Sequence, residues 1–120
     1  MKSIMFIITA IIAVTSSVFT FAQTHDHSQM LSAKTETFKV WGNCDMCKAR
    51  IEKAAKIDGV SKAEWNKDTK ILTFSYNPSV ISIDNIQKRI AAVGHDTEKY
   101  KADIKAYNSL PGCCKYEREN

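Results

Sequence analysis

Apolar residues between positions 35 and 101 switch repeatedly between an alternating and a helical period. Thr35–Trp41 alternates, with Phe38 and Val40 on one face, and predicts a strand. From about Met46 to Ile57, Cys47, Ile51, Ala54 and Ala55 recur at helical spacing, with Lys48, Arg50, Glu52 and Lys53 elsewhere around the wheel. Asp58-Gly59 ends that helix. Val60–Asn66 sets Ala63 and Trp65 on alternate sites, Lys67–Lys70 is a polar turn, and Ile71–Tyr76 puts Leu72, Phe74 and Tyr76 on one face. Two alternating runs around a short polar turn read as a hairpin. Asn77-Pro78-Ser79 breaks the chain. Ser82 can then cap a second helix whose buried stripe is Ile83, Ile86, Ile90 and Val93, and Gly94 closes it. A short fourth strand is expected around Asp96–Lys101.

The order β-α-β-β-α-β predicts an α+β fold, the ferredoxin-like sandwich, with two helices on one face of a four-stranded antiparallel sheet. That fold hosts many activities, so function must come from particular side chains.

The flanks have a different character. Lys2, the apolar run Ile4–Val14 and the small residues leading to Thr20-Phe21-Ala22 have the layout of a secretory signal peptide, with cleavage expected after Ala22. The apolar run is about eleven residues, short of the ~20 that span a bilayer. The expected organisation is therefore a signal peptide over 1–22, a flexible N-terminal arm over 23–34, the domain over 35–101, and a cysteine-bearing extension over 102–120. A short helix is expected in that extension before Leu110-Pro111-Gly112. The 120-residue chain carries a formal charge of +4. Loss of Lys2 with the leader would reduce it to +3. Its basic residues are interleaved with acidic ones, so no nucleic-acid-binding stripe is present.

Export would place the protein in the periplasm or outside the cell, an oxidising setting for its four cysteines, Cys44, Cys47, Cys113 and Cys114. Cys44 falls in the loop after the first strand and Cys47 in or near the first turn of the first helix. Free backbone N–H groups and the positive end of the helix dipole favour a thiolate there, with Lys48 and Arg50 adding positive charge. Thiolates are soft ligands that suit Cu(I), Zn(II) and similar ions. Two of them leave an ion open to a second protein's thiols, and the spacing of the four cysteines is not that of a closed structural zinc site.

At these residues the chain resembles the heavy-metal-associated domain family, which includes small copper chaperones, the N-terminal domains of metal ATPases and periplasmic mercury-binding proteins. The family loop commonly reads G-M-T-C-x-x-C, where this chain has Trp41-Gly42-Asn43-Cys44-Asp45-Met46-Cys47. Ile51-Glu52-Lys53-Ala54, Gly59-Val60 and Val93-Gly94-His95 continue the likeness over about residues 35–101. Gly42 stands where the family has a Met that packs beneath the loop. The resemblance implies that Cys44 and Cys47 hold the metal, and that His95, in the loop before the fourth strand, can lie beside them as a third ligand or be a surface histidine. Met46 is expected to be exposed.

The tail leaves alternatives open. Residues 102–112 reach some 16 Å as helix, enough to return Cys113 and Cys114 to the loop. They can complete a tri- or tetra-thiolate site, form a disulfide with the C-x-x-C pair, act as a separate metal hook, or bridge to each other or to another chain. A second site is conceivable at the arm. Cleavage after Ala22 would leave an amine two residues before His25, with His27 close by, a donor set for square-planar Cu(II) or Ni(II).

These readings favour a non-enzymatic periplasmic metallochaperone for Cu(I), with Hg(II) and Zn(II) as alternatives. It would pass its ion to a membrane metal transporter or another metal-binding protein, using basic residues around the first helix to meet an acidic surface. It is expected to be a monomer, with a metal-bridged dimer as the alternative, and to have no small-molecule substrate. Competing functions are sequestration of mercury or zinc, and thiol–disulfide exchange through the same pair. Against the latter, Trp41 is two residues too far from Cys44 for the W-C-x-x-C of thioredoxin-like proteins, and neither Pro78 nor Pro111 lies where their second motif would be.

Overall fold

A computed structural model describes residues 33–119. The expected leader, most of the arm, and His25 and His27 lie outside the described residues. Strand β1 is Lys34–Lys39, helix α1 Asp45–Ala55, β2 Val60–Trp65, β3 Ile71–Tyr76, helix α2 Ile83–Ala92 and a short helix α3 Ile104–Asn108, followed by a 3-10 turn at Gly112–Cys114. The sheet order is β1-β3-β2, antiparallel throughout, and Phe38 and Trp65 both face Leu72 across the central strand.

Alternation explains which face is buried. Phe38, Ala63, Trp65, Leu72, Phe74 and Tyr76 point to one side and meet Cys47, Ile51 and Ala55 of α1 and Ile86 and Ile90 of α2 in one cluster. The opposite face carries Thr37, Glu64 and Thr73, all exposed. Ser82 caps α2 as its spacing predicts, its hydroxyl accepting from Asn85 N–H at 3.2 Å. The α2 stripe differs at its end. Val93 is exposed, while Gln87 and Ala91 are buried. The helix ends at Ala92, so Val93 has left the helical phase that would have turned it inward.

The fold is ferredoxin-like, but among the described residues the sheet has three strands, with a single bridge, Val40 to Thr97, where the fourth was expected. Side chains take the hydrogen bonds that a strand would have made. Trp41 N–H still donates to Asp96 C=O at 2.9 Å, but the next outward group, Lys39 N–H, donates to the Glu98 carboxylate at 2.8 Å. Thr97 and Tyr100 meanwhile close a turn, Thr97 N–H donating to Tyr100 C=O at 2.8 Å and Tyr100 N–H to the Thr97 hydroxyl at 3.1 Å. A chain folded back on itself at 97–100 cannot continue a ladder.

The extension is packed against the domain. Gly94 has a φ of +105°, and a Cβ there would lie 2.9 Å from the Ala106 carbonyl and 3.0 Å from Leu110, so only glycine lets α3 approach this closely. Leu110, Cys114 and Tyr116 join the core cluster. The Tyr116 hydroxyl accepts from Asp96 N–H and donates to Gly94 C=O, both at 2.8 Å and both buried. Arg118 grips the Asp96 carboxylate with two nitrogens, at 2.8 and 3.0 Å, and donates to Ala102 C=O at 2.6 Å. Asp96 accepts Ala102 N–H as well, at 2.7 Å. Burial pushes the Asp96 carboxyl up, but the Arg118 guanidinium and the Ala102 N–H outweigh it and leave the group below its ordinary value.

Candidate metal centre

Cys44 is the residue that caps α1, in extended backbone conformation, and Cys47 lies in the first turn, with its side chain fully buried. The turn sets the two sulfurs 3.3 Å apart. No pair of cysteines is bonded as a disulfide. Asn43 N–H points at the Cys47 sulfur at 3.4 Å.

Beneath the loop lies Trp65. A Cβ on Gly42 would fall 3.0 Å from the indole ring and 3.1 Å from the Cys47 Cβ. The indole N–H donates to Val40 C=O at 3.0 Å. Trp65 from β2 thus fills the space beneath the loop, and Gly42 is the small residue that admits it. Lys48 ties the same strand to α1, its ammonium bonding the Glu52 carboxylate at 2.5 Å and Trp65 C=O at 3.0 Å.

The tail returns to the loop. Cys114 Sγ is 3.3 Å and Cys113 Sγ 3.4 Å from Cys44 Sγ. The sulfurs of Cys44, Cys47 and Cys114 all lie within 4.8 Å of one another. Cys113 falls outside that group and is exposed, its sulfur 3.9 Å from Cys114 and 3.5 Å from the Met46 thioether. Met46 is exposed as expected, and it borders the sulfurs through Cys113. Two further contacts hold the tail over the loop. Asn43 Nδ2 donates to Lys115 C=O at 3.2 Å, and Arg50 Nη1 lies 3.4 Å from Cys114 Sγ.

His95 is elsewhere. It is buried rather than a surface residue, its Nδ1 is 2.8 Å from Trp41 C=O, and its ring stacks on Tyr116 at 5.6 Å. It is absent from the group of sulfurs, and its Nε2 has no hydrogen-bond partner among the described residues. Burial pushes the His95 imidazole below its ordinary value, with Arg50 acting in the same sense, so the ring is neutral at pH 7.

The thiols are inequivalent. Burial pushes Cys44 up, but the backbone N–H of Cys47 and the thiols of Cys114, Cys47 and Cys113 stabilise its thiolate and bring it down to about 6. Burial pushes Cys114 well above the ordinary thiol range, and its neighbours Cys47 and Cys44 reinforce this. Cys113 is raised mainly because its S–H donates to Cys44. At neutral pH Cys44 is therefore a thiolate beside the protonated thiols of Cys113 and Cys114, a soft anionic centre.

The sequence shows Arg50 only as nearby charge and Trp65 only as an alternating position of β2, and it gives Tyr116 and Arg118 no role. Tyr107, Leu110 and Tyr116 in an otherwise polar tail were the available signal that this segment packs.

Residues 37–96 match the heavy-metal-associated domain family. The copper-exporting P-type ATPase of Staphylococcus saprophyticus is 37% identical over 73 residues, 60% of this chain but 9% of that protein. The chain thus spans a small fraction of the transporter. The copper chaperone CopZ of Staphylococcus epidermidis is 35% identical over 57 residues, covering 47% of this chain and 84% of the chaperone. Among solved structures, a CopZ metallochaperone superposes with a TM-score of 0.52 at 29% identity, over 53% of this chain and 98% of that one. Oxidised MerP from Ralstonia metallidurans does so at 0.52 and 26%, over 55% and 94%.

Proposed function

The chain belongs to the heavy-metal-associated domain family, and from that premise we propose that it is a metallochaperone that carries Cu(I) on Cys44 and Cys47. The observation that carries this reading is the pair of sulfurs 3.3 Å apart at the start of α1, one of them a thiolate near pH 6. Soft anionic sulfur suits a soft ion such as Cu(I). The likeness to copper chaperones and to a copper-exporting ATPase supports Cu(I), while a likeness to the zinc-transporting ATPase of Synechocystis sp., 34% identical over 79 residues, keeps Zn(II) in the comparison. The MerP likeness makes Hg(II) the competitor to test.

Delivery would be by ligand exchange. A partner thiolate bonds to the ion, a sulfur of this chain leaves, and the ion changes hands without any change of oxidation state. The partner would be a membrane metal transporter or another metal-binding protein. A groove of about 680 Å³ between α1 and α2, lined by Met46, Ala54 and Val93 together with Arg50, Lys53 and Arg89, adjoins the loop and suits an acidic partner surface. The protein would act in the periplasm or outside the cell once the leader over 1–22 is removed. N-terminal sequencing of exported protein should begin at Gln23.

Competitive titration of the reduced protein with Cu(I), Hg(II) and Zn(II) tests the reading. One Cu(I) per chain is expected, and Cys44→Ser/Cys47→Ser should abolish stoichiometric binding. Retained tight binding in that variant overturns the assignment. Insulin reduction that disappears in Cys44→Ser would instead make the pair a redox couple.

A further inference from the structure

Resting on Cys44 and Cys47 as the metal-binding pair, we propose that Cys114 is a third ligand. The cargo ion is then held by three thiolates in a plane, one of them supplied by the C-terminal tail.

The spacing of the sulfurs is the first argument. With metal–sulfur bonds of ~2.3 Å, a linear two-sulfur site needs its sulfurs ~4.6 Å apart, whereas a trigonal site needs edges of ~4.0 Å. Cys44 Sγ is 3.3 Å from both Cys47 and Cys114. Those edges must widen by ~0.7 Å to form the triangle but by ~1.3 Å to form the linear site, on the same bond length. An ion between Cys44 and Cys47 has Cys114 beside it already.

The second argument is how Cys114 is held. Its side chain is fully buried, in the same core cluster as Cys47. The 3-10 turn fixes its backbone, with Cys114 N–H donating to Pro111 C=O at 2.8 Å. Two residues on, Tyr116 is locked to Gly94 and Asp96. Asn43, beside Cys44, bonds Lys115 directly. A free hook would show none of these ties, so ordering the third ligand costs little when the ion arrives.

Charge is the third. A monovalent ion with three thiolates carries a net charge of −2 after the thiol protons pass to solvent. Arg50 Nη1, 3.4 Å from the Cys114 sulfur, and the N-terminus of α1 face that charge. Cys113, exposed and outside the triangle, is not a ligand of the resting site.

The test loads the reduced full chain with one equivalent of Cu(I) and counts coordinated sulfurs by X-ray absorption. Affinity is measured against a chromophoric Cu(I) chelator, and mass by light scattering. The unaltered protein should show three sulfurs as a monomer. Cys113→Ser should keep three. Cys114→Ser should show two and bind at least tenfold more weakly. The inference is overturned by a count of two or four in the unaltered monomer, by a metal-bridged dimer, or by Cys114→Ser binding as tightly as its parent. The counts for the unaltered protein and Cys113→Ser decide the matter even if Cys114→Ser fails to fold. Stoichiometric binding retained by Cys44→Ser/Cys47→Ser would sink the underlying assignment; its loss there with two sulfurs in the parent would sink only the role of Cys114.

Discussion

Replacing Tyr116 by Phe removes one oxygen and leaves the ring. The ring keeps its stacking on His95 at 5.6 Å and its edge contact with Tyr107 at 5.1 Å. What disappears is a hydroxyl that both accepts and donates at 2.8 Å in a buried setting. Asp96 N–H and Gly94 C=O then lose their partner at a buried position. Leaving a buried polar group unsatisfied costs about 1–3 kcal/mol. With two groups stranded and some relaxation, the loss should be about 2–3 kcal/mol. In a domain of this size each kcal/mol moves the midpoint by about 4–8 °C, so Tyr116→Phe should melt roughly 10–20 °C below the parent. Thermal unfolding of the metal-free, reduced proteins by circular dichroism measures this. A midpoint within about 2 °C of the parent would refute the claim that the tail is built into the core.

Other perturbations probe other joints. Gly42→Ala pushes a methyl to 3.0 Å from the Trp65 ring, which has no flexible end to yield, so urea unfolding should show a loss of about 1–3 kcal/mol. Ser82→Ala should cost about 1 kcal/mol by the same measurement, because Asn85 N–H loses its cap. Asp96→Asn strands Arg118 and should cost on the order of 2 kcal/mol, less than the ~3–5 of a fully buried pair because Arg118 keeps some contact with water. The Asp96 carboxyl lies below its ordinary value in the fold, so its contribution is complete above the unfolded value of about 3.9 and is lost as pH falls through the folded one. The gap between parent and variant should accordingly be constant above pH ~4 and close below it. In the metal-free protein, iodoacetamide labelling of Cys44 should reach half its maximal rate near pH 6, while Cys113 labels only at more alkaline pH despite its exposure. Equal profiles for the two by mass spectrometry would contradict the inequivalence of the thiols.

The sandwich was legible because its core is written in clean alternation. Leu72, Phe74 and Tyr76 leave no doubt about the inward face of β3, and Ile86 and Ile90 fix that of α2. The fourth strand was not legible as a turn, because what prevents it is side-chain bonding. Glu98 reaching Lys39 N–H and Thr97 capping Tyr100 N–H leave no mark in the hydrophobic pattern. At the centre, the C-x-x-C spacing pointed to two sulfurs. The placement of Cys114 depends on Asp96 meeting Arg118 and Tyr116 meeting Gly94, contacts about twenty residues apart that no local period encodes. His95 is buried rather than at the surface, and its ring stacks on Tyr116 of the same tail.

The truncated fourth strand also bears on how the protein avoids its own kind. The outer edge of β1 would otherwise offer a row of unpaired amides to any other extended chain. Here the Glu98 carboxylate occupies Lys39 N–H, the Asp96 carbonyl occupies Trp41 N–H, and exposed Lys34 and Glu36 flank what is left open. An edge only six residues long, part blocked and charged at its open end, is a poor template for strand addition. The side chains that cost the sheet its fourth strand thus guard its β1 edge against strand addition by another copy.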